Sequence, residues 1–340
     1  MPYESEIIEM IRGRSKAGPG FGIELGIGDD SAVLRTDPGT DLLFCSDLSV
    51  EGVHLRTEWA GPELIGRKAL AVTVSDIAAM GGEPKFALAS VALPHGVSMQ
   101  FVEQLFLGMF DVAESLGLSI VGGDTSASPG GIFIDTSVIG ICRRGRAITR
   151  SGATPGDVVY VTGDLGGSAL GLSLLMQGFR LGVAGDEPAD QASRARQAAI
   201  RRHLMPAPQV RAGRLIGLEG LATALIDISD GLATDLAHLA QESKCGAVID
   251  ASLLPVAQPA RDLMSTSHST DLVDLALTSG EEYELLFCSP PQHSVRIRDM
   301  AENLELPITR IGEVTDESGL FIVLDGKTLP MTASGFEHEI

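Results

Sequence analysis

The chain has 340 residues, 44 % hydrophobic and 21 % charged, a length that favours two domains of ordinary size with buried cores. Its 45 acids against 25 bases give a formal charge of −20, which argues against nucleic acid as a partner. A net-negative protein that handles anions must reverse its local field with metal ions, helix N-termini or a few arginines. The opening stretch, with Glu4, Glu6 and Glu9, lacks the basic and apolar regions of a signal peptide. No apolar run reaches the roughly 18 residues of a membrane span. Cys45, Cys142, Cys245 and Cys288 have no paired spacing, so the expectation is a cytoplasmic protein with reduced thiols.

In chain order, apolar and β-branched runs predict strands at residues 31–35 and 42–50, then a helix over 63–80. A strand at 85–93, a helix over 99–116 and strands at 119–121 and 132–142 follow. This order predicts an α+β domain over residues 1–148, its mixed or antiparallel sheet carrying helices on one face. The turn-rich stretch TRSGATPGD then marks a seam. Beyond it, residues 149–340 alternate in the manner of an α/β domain. Strands are predicted at VVYVTG, 224–228, 247–250, 284–288, 309–314 and 320–324, and helices at 168–176, 191–203, 208–218 and 232–241. Residues 182–192, GVAGDEPADQA, read as an excursion between elements.

Six stretches set an acid against Gly, Ser or another acid. They are GIGDDSAV at Asp29 and Asp30, CSDLSVEGVH at Asp47, VSDIAAMGG at Asp76, GGDTS at Asp124, IDISDG at Asp227 and Asp230, and SGEEYE at Glu281. Their flanks are mostly apolar, which places these acids at the ends of buried elements, where an isolated charge is prohibitive. None of the six contains Lys or Arg as a partner. Carboxylates with serine hydroxyls suit magnesium shared with a substrate's phosphates. Each acid also has a plainer reading. Ser229-Asp230-Gly231 is a good helix N-cap, and Asp29-Asp30 suits a turn. Capping does not account for Asp227 inside an apolar strand, nor for Asp76 on an apolar helix.

Three other motifs fail inspection. Gly61 to Lys68 has the glycine spacing of a P-loop without its Lys-Ser/Thr, and Pro62 is better explained as the first residue of a helix. Gly163-Asp-Leu-Gly166-Gly167-Ser168 does not fit the dinucleotide fingerprint; a tight turn is favoured over a phosphate-binding helix N-terminus. His54, His95 and His203 lack zinc spacing.

Taken in order, GIGDDSAV, SDLSVEGVHL, VSDIAAMGGEP, VGGDTS, AITRSGATPGD, IDISDGLATDLAHLA and SGEEYELLF resemble the thiamine-monophosphate kinases of the aminoimidazole ribonucleotide synthetase-like superfamily. The resemblance runs from about Gly26 to Phe336. It implies a PurM-like two-domain architecture in which the first domain binds ATP and metal and dimerises through its sheet. It also implies magnesium-dependent phosphoryl transfer from ATP to thiamine monophosphate, giving thiamine diphosphate. Carried over position by position, Asp30, Ser46, Asp47, Asp76, Asp124, Asp227 and Asp230 resemble magnesium ligands. Gly123, Asp124, Arg150 and Ser229 resemble nucleotide contacts, and His54, Glu281 and Phe336 substrate contacts. Two positions depart from the family: Cys45 replaces a usual hydroxyl, and SGEEYE replaces GGEDYE, placing Glu282 beside the substrate residue. Another ATP-using member of the superfamily, or a divalent-metal phosphatase, is the alternative, and the products formed from ATP separate them.

Overall fold

The structure, a computed structural model, describes Met10 and residues 22–25, 33–35, 38–182, 190–264 and 269–332. The chain divides into two compact units, Met1–Ile77 with Gly82–Ala147, and Ala78–Gly81 with Ile148–Ile340.

In the first unit β1 (Gly22–Leu25) pairs antiparallel with β2 (Val33–Arg35). There follow β3 (Thr40–Val50), α1 (Pro62–Ala79), β4 (Glu83–Pro94), α2 (Met99–Leu116), β5 (Ser119–Gly122), β6 (Thr125–Ser128) and β7 (Phe133–Arg143). The sheet runs β3-β7-β4-β5, with β6 also beside β4. β7 is antiparallel to β3 and β4, whereas β5 and β6 are parallel to β4. Alternation along β7 buries Ile134, Thr136, Val138 and Cys142 on one face. α1 lies on that face, since Thr136 Oγ1 donates to Ala69 O at 2.9 Å. The opposite face of β3 presents Leu42, Phe44 and Leu48, 41 %, 69 % and 53 % exposed.

α2 forms where its sequence brackets it. Ser98 accepts the N–H of Phe101, and Gly117 closes the helix in the left-handed conformation. Between them Val102, Leu105, Phe106, Met109 and Val112 recur at helical spacing and are buried. α1 begins at Pro62, whose missing N–H costs nothing there. The two helices meet backbone to backbone. A Cβ on Gly66 would lie 1.9 Å from Leu105 O, and one on Gly108 would lie 1.9 Å from Glu63 O.

In the second unit, β8 (Val158–Thr162), α3 (Gly167–Met176), α4 (Gln191–Leu204), α5 (Val210–Glu219), β9 (Ala224–Asp227) and α6 (Leu232–Ser243) come first. β10 (Gly246–Asp250), α7 (Gln258–Leu263), α8 (Ser269–Thr278), β11 (Leu285–Ser289), α9 (Ser294–Leu304), β12 (Ile308–Thr315), β13 (Gly319–Leu324) and β14 (Lys327–Pro330) complete it. The strands form one sheet in the order β14-β13-β10-β12-β8-β11-β9. It is mixed: β10 and β13 are parallel, and the other pairs are antiparallel. Its core joins Val159, Val161, Ile226, Leu236, Leu286 and Ile311, all buried. Of the excursion read at 182–192, residues 183–189 lie outside the described residues. Asp190 caps α4, accepting the N–H of Ser193 at 2.7 Å.

Candidate active site

Three of the six stretches place a described candidate acid in the first unit, at Asp47, Asp76 and Asp124. On β3 the pleat sends Ser46 and Asp47 to opposite faces. Ser46 Oγ donates to Asp135 Oδ2 at 3.1 Å and lies 2.9 Å from Ser137 Oγ. Asp47 faces α1 with Cys45, whose Sγ donates to Thr73 O at 3.2 Å. Burial pushes the Asp47 carboxyl up, a hydrogen bond from Thr73 pulls it down, and the charge of Asp135 raises it again. Asp76 is one turn beyond Thr73 on α1 and therefore on the same side of the helix. The strand thus brings Asp47, but not the hydroxyl of Ser46, towards α1. Cys45 is spent on backbone carbonyls of α1 and β7.

Gly123 and Asp124 form the exposed link between β5 and β6. Gly123 has φ +154°, and a Cβ there would meet Ala89 O at 1.9 Å, so only glycine fits. The Asp124 carboxylate accepts the N–H of Thr125 at 2.9 Å, and its carbonyl accepts the N–H of Val91 at 2.8 Å. His54 Nδ1 accepts the N–H of Val50 at 3.2 Å, which leaves the ring proton of the neutral imidazole on Nε2. Asp30 lies outside the described residues.

In the second unit Asp227 ends β9 and is buried, as the sequence implies. The turn after it, Ser229-Asp230-Gly231, is organised by a residue that sequence reasoning missed. Asp235 Oδ2 accepts the N–H groups of Ser229, Asp230 and Gly231, each at 3.1 Å. Burial, then the charges of Asp230 and Asp227, push the Asp235 carboxyl up to about 7. The available signal was an acid in the first turn of a helix behind a capping sequence.

SGEEYE folds against this turn. Glu281 donates its N–H to Ser229 O at 2.7 Å, and Tyr283 donates to Ile228 O at 2.8 Å. Both are left-handed, with φ +56° and +54°. The Glu281 carboxylate is directed to His203, its Oε2 3.3 Å from Nδ1. Phe336 lies outside the described residues.

Glu282 corrects one expectation. It does not extend the substrate position but turns inward, 2 % exposed. Its Oε1 accepts the N–H of Gly166 at 2.8 Å, the N–H of Ser168 at 3.1 Å and the hydroxyl of Ser279 at 2.5 Å. The N-terminus of α3 is thereby occupied by the protein's own carboxylate, which decides for the tight turn at Gly163–Ser168. Arg202 supplies the missing counter-charge, 3.3 Å from Glu282 Oε2 and 2.6 Å from Glu284 Oε1. Burial pushes both carboxyls up, and Arg202 pulls against it. The partner of these acids is therefore a distant arginine and not a metal.

Arg150 is exposed on the rim of a cavity of about 420 Å³, lined also by Met80, Thr149, Ser151, His238, Gln241 and Glu242. Its carbonyl accepts the hydroxyl of Ser243 at 2.9 Å, which anchors the segment.

The donor sets fit a hard divalent cation. The charge of Asp135 adds to the rise at Asp47, and the charges of Asp230 and Asp227 add to the rise at Asp235, so each of these two carboxyls stands in a negative field that a cation would relieve. Among the described residues no three His, Cys, Asp or Glu side chains form a complete metal cage. Magnesium is commonly held by one or two carboxylates together with substrate phosphates, and does not require one.

Residues 28–142 match the family model described as AIR synthase related protein, N-terminal domain, and residues 154–325 match its C-terminal domain. The Escherichia coli (strain K12) thiamine-monophosphate kinase is 37 % identical over 317 residues, covering 93 % of this chain and 92 % of its own. The crystal structure of thiamine-monophosphate kinase from Stenotrophomonas maltophilia matches with a TM-score of 0.82 at 34 % identity, covering 94 % of this chain and 96 % of that one. AaThiL complexed with AMPPCP and TMP matches with a TM-score of 0.75 at 34 % identity, covering 90 % and 89 %. The chain belongs to the thiamine-monophosphate kinase family.

Proposed function

We propose that this chain transfers the γ-phosphoryl group of ATP to thiamine monophosphate, yielding thiamine diphosphate. The observation that carries this reading is the likeness, over nearly the whole chain, to AaThiL complexed with AMPPCP and TMP. The acceptor phosphate has a second pKa near 6, so at pH 7 it is already a nucleophile and no general base is assigned. The obstacle is the approach of two polyanions.

Asp30, Asp47, Asp76, Asp124, Asp227 and Asp230 are the residues we assign to magnesium. Ser46 would join them through its main chain, because its hydroxyl is turned to Asp135. When bound, magnesium supplies charge neutralisation along the phosphates and alignment of the attacking and leaving oxygens. Arg150 is assigned to the nucleotide phosphates as their cation, and Gly123, Asp124 and Ser229 are the other nucleotide contacts we assign. Gly123 passes so close to Ala89 O that no side chain fits, which fixes the link that carries Asp124. Glu281 and His54 meet the acceptor, Glu281 balancing its permanent positive ring. Phe336 is assigned the aromatic face over that ring, an interaction worth about 0.5–2 kcal/mol.

The open face of β3, with Leu42, Phe44 and Leu48, supports a homodimer formed through the first unit's sheet. The scattered spacing of the four cysteines is what supports the cytoplasm as the site of action; no described helix is long and apolar enough to cross a membrane. The test is incubation with ATP and thiamine monophosphate, read for products. Thiamine diphosphate and ADP in equal amounts are expected; free phosphate in place of the diphosphate would mark a hydrolase and end this reading.

A further inference from the structure

Behind Glu281 stands a histidine to which no role has been given. His203, on α4, is 3 % exposed, and its Nδ1 lies 3.3 Å from Glu281 Oε2 and 3.1 Å from Ser168 Oγ. A carboxylate only accepts, so Nδ1 holds Glu281 only in the tautomer that carries the ring proton there, and the Ser168 hydroxyl then accepts from the same N–H. The imidazole has a fixed seat. A Cβ on Gly171 of α3 would lie 2.1 Å from Ala199 O and 3.0 Å from the His203 Cβ, so α3 and α4 touch closely beside it. Glu281 is fixed from its other end, by a left-handed main chain and its N–H on Ser229 O at 2.7 Å. Its carboxylate is thus held at both ends while its side chain stays 27 % exposed. An acid already oriented loses little rotamer freedom when a cationic ligand arrives.

We propose that His203 is a positioning residue for acceptor binding, its Nδ1–H fixing the Glu281 carboxylate in the direction that meets the cationic ring of thiamine monophosphate. The inference rests on Glu281 as an acceptor contact. A purely structural histidine would affect stability and leave the two substrates' Michaelis constants alone.

Steady-state kinetics of His203→Asn and His203→Gln test it, with Glu281→Gln as the reference. The amide nitrogen of Asn falls near Nδ1, whereas that of Gln falls near Nε2. His203→Asn is expected to keep KM for thiamine monophosphate within about twofold, and His203→Gln to raise it about tenfold, the scale of one hydrogen bond to a charged group. In both, kcat and KM for ATP stay within about twofold, and Glu281→Gln adds little to His203→Gln, as expected for coupled residues. Equal KM values for the Asn and Gln variants overturn the proposal, as does full additivity with Glu281→Gln. A lowered Tm with unchanged KM overturns it too. If His203→Gln does not fold, His203→Leu is read in the same way. If Glu281→Gln alone leaves KM unchanged, the acceptor reading of Glu281 fails, and this proposal falls with it.

Discussion

Asp235 accepts the N–H of Asp230 at 3.1 Å, and burial followed by the charge of that same Asp230 pushes its carboxyl up to about 7. The turn is held by a group that its own contents repel. In the unfolded chain this carboxyl titrates near 3.8. Between about pH 4 and 7 the folded state therefore keeps a proton that the unfolded state has released. Stability falls as pH rises through that window, by up to about 4 kcal/mol, and the loss is complete above the folded pKa. Asp235→Asn keeps an oxygen for the three N–H groups and removes the charge. In urea unfolding of metal-free protein, the variant should lose less stability from pH 4 to 7 than the wild type. Parallel stability curves would refute the assignment.

Asp47 carries the second prediction. Chelation of divalent metal should abolish turnover, and Asp47→Asn should lower it at least about a hundredfold, as when a major electrostatic stabiliser is removed. Magnesium should also raise the Tm of the wild type more than that of the variant, since a ligand stabilises in proportion to its occupancy. Near-normal activity of folded Asp47→Asn would remove Asp47 from the metal set.

Arg202 serves two carboxylates buried in the second unit. Arg202→Met leaves Glu282 and Glu284 without their counter-charge and should cost about 3–5 kcal/mol. The cost should shrink in acid, where both acids take up protons. A thermal-melt series across pH 4–8 checks both the size and the trend.

Phe44, on the open face of β3, tests the assembly. Light scattering should report a homodimer, and Phe44→Asp should shift it to monomer by placing a charge in an apolar contact. A wild-type monomer across a wide concentration range would contradict the assignment.

Phe336→Ala should raise KM for thiamine monophosphate several-fold and leave that for ATP little changed, as expected for a lost cation–π contact. Equal losses for both substrates would return Phe336 to a packing role.

Much of this was legible in the sequence where local signals agreed. Helix 99–116 was legible from a regular apolar stripe, and the structure closes it with caps at Ser98 and Gly117. Strand 132–142 is displaced by a single residue in β7, because alternation identifies a strand better than it fixes an end. α9 went unread because SVRIRDMAENL buries only Ile297 and Met300, too thin a stripe for a periodic signal. β6, Thr-Ser-Ala-Ser, is short and polar. At the site, the acids announced themselves through their apolar flanks. Their partners did not. Arg202 is 80 residues from Glu282 in sequence, and no local pattern links them. Asp135 reads as a solvent-facing position of an alternating strand until Ser46 is seen beside it.

The reciprocal glycines of the first unit have a consequence beyond packing. With Gly66 against Leu105 O and Gly108 against Glu63 O, α1 cannot slide along α2 by even one residue without driving a Cβ into a carbonyl. The helix is therefore indexed, like a ratchet with a single tooth engaged. Thr73 and Asp76, two to three turns further along α1, inherit their height above β3 from that index. Two residues with no side chains set the level at which a carboxylate stands.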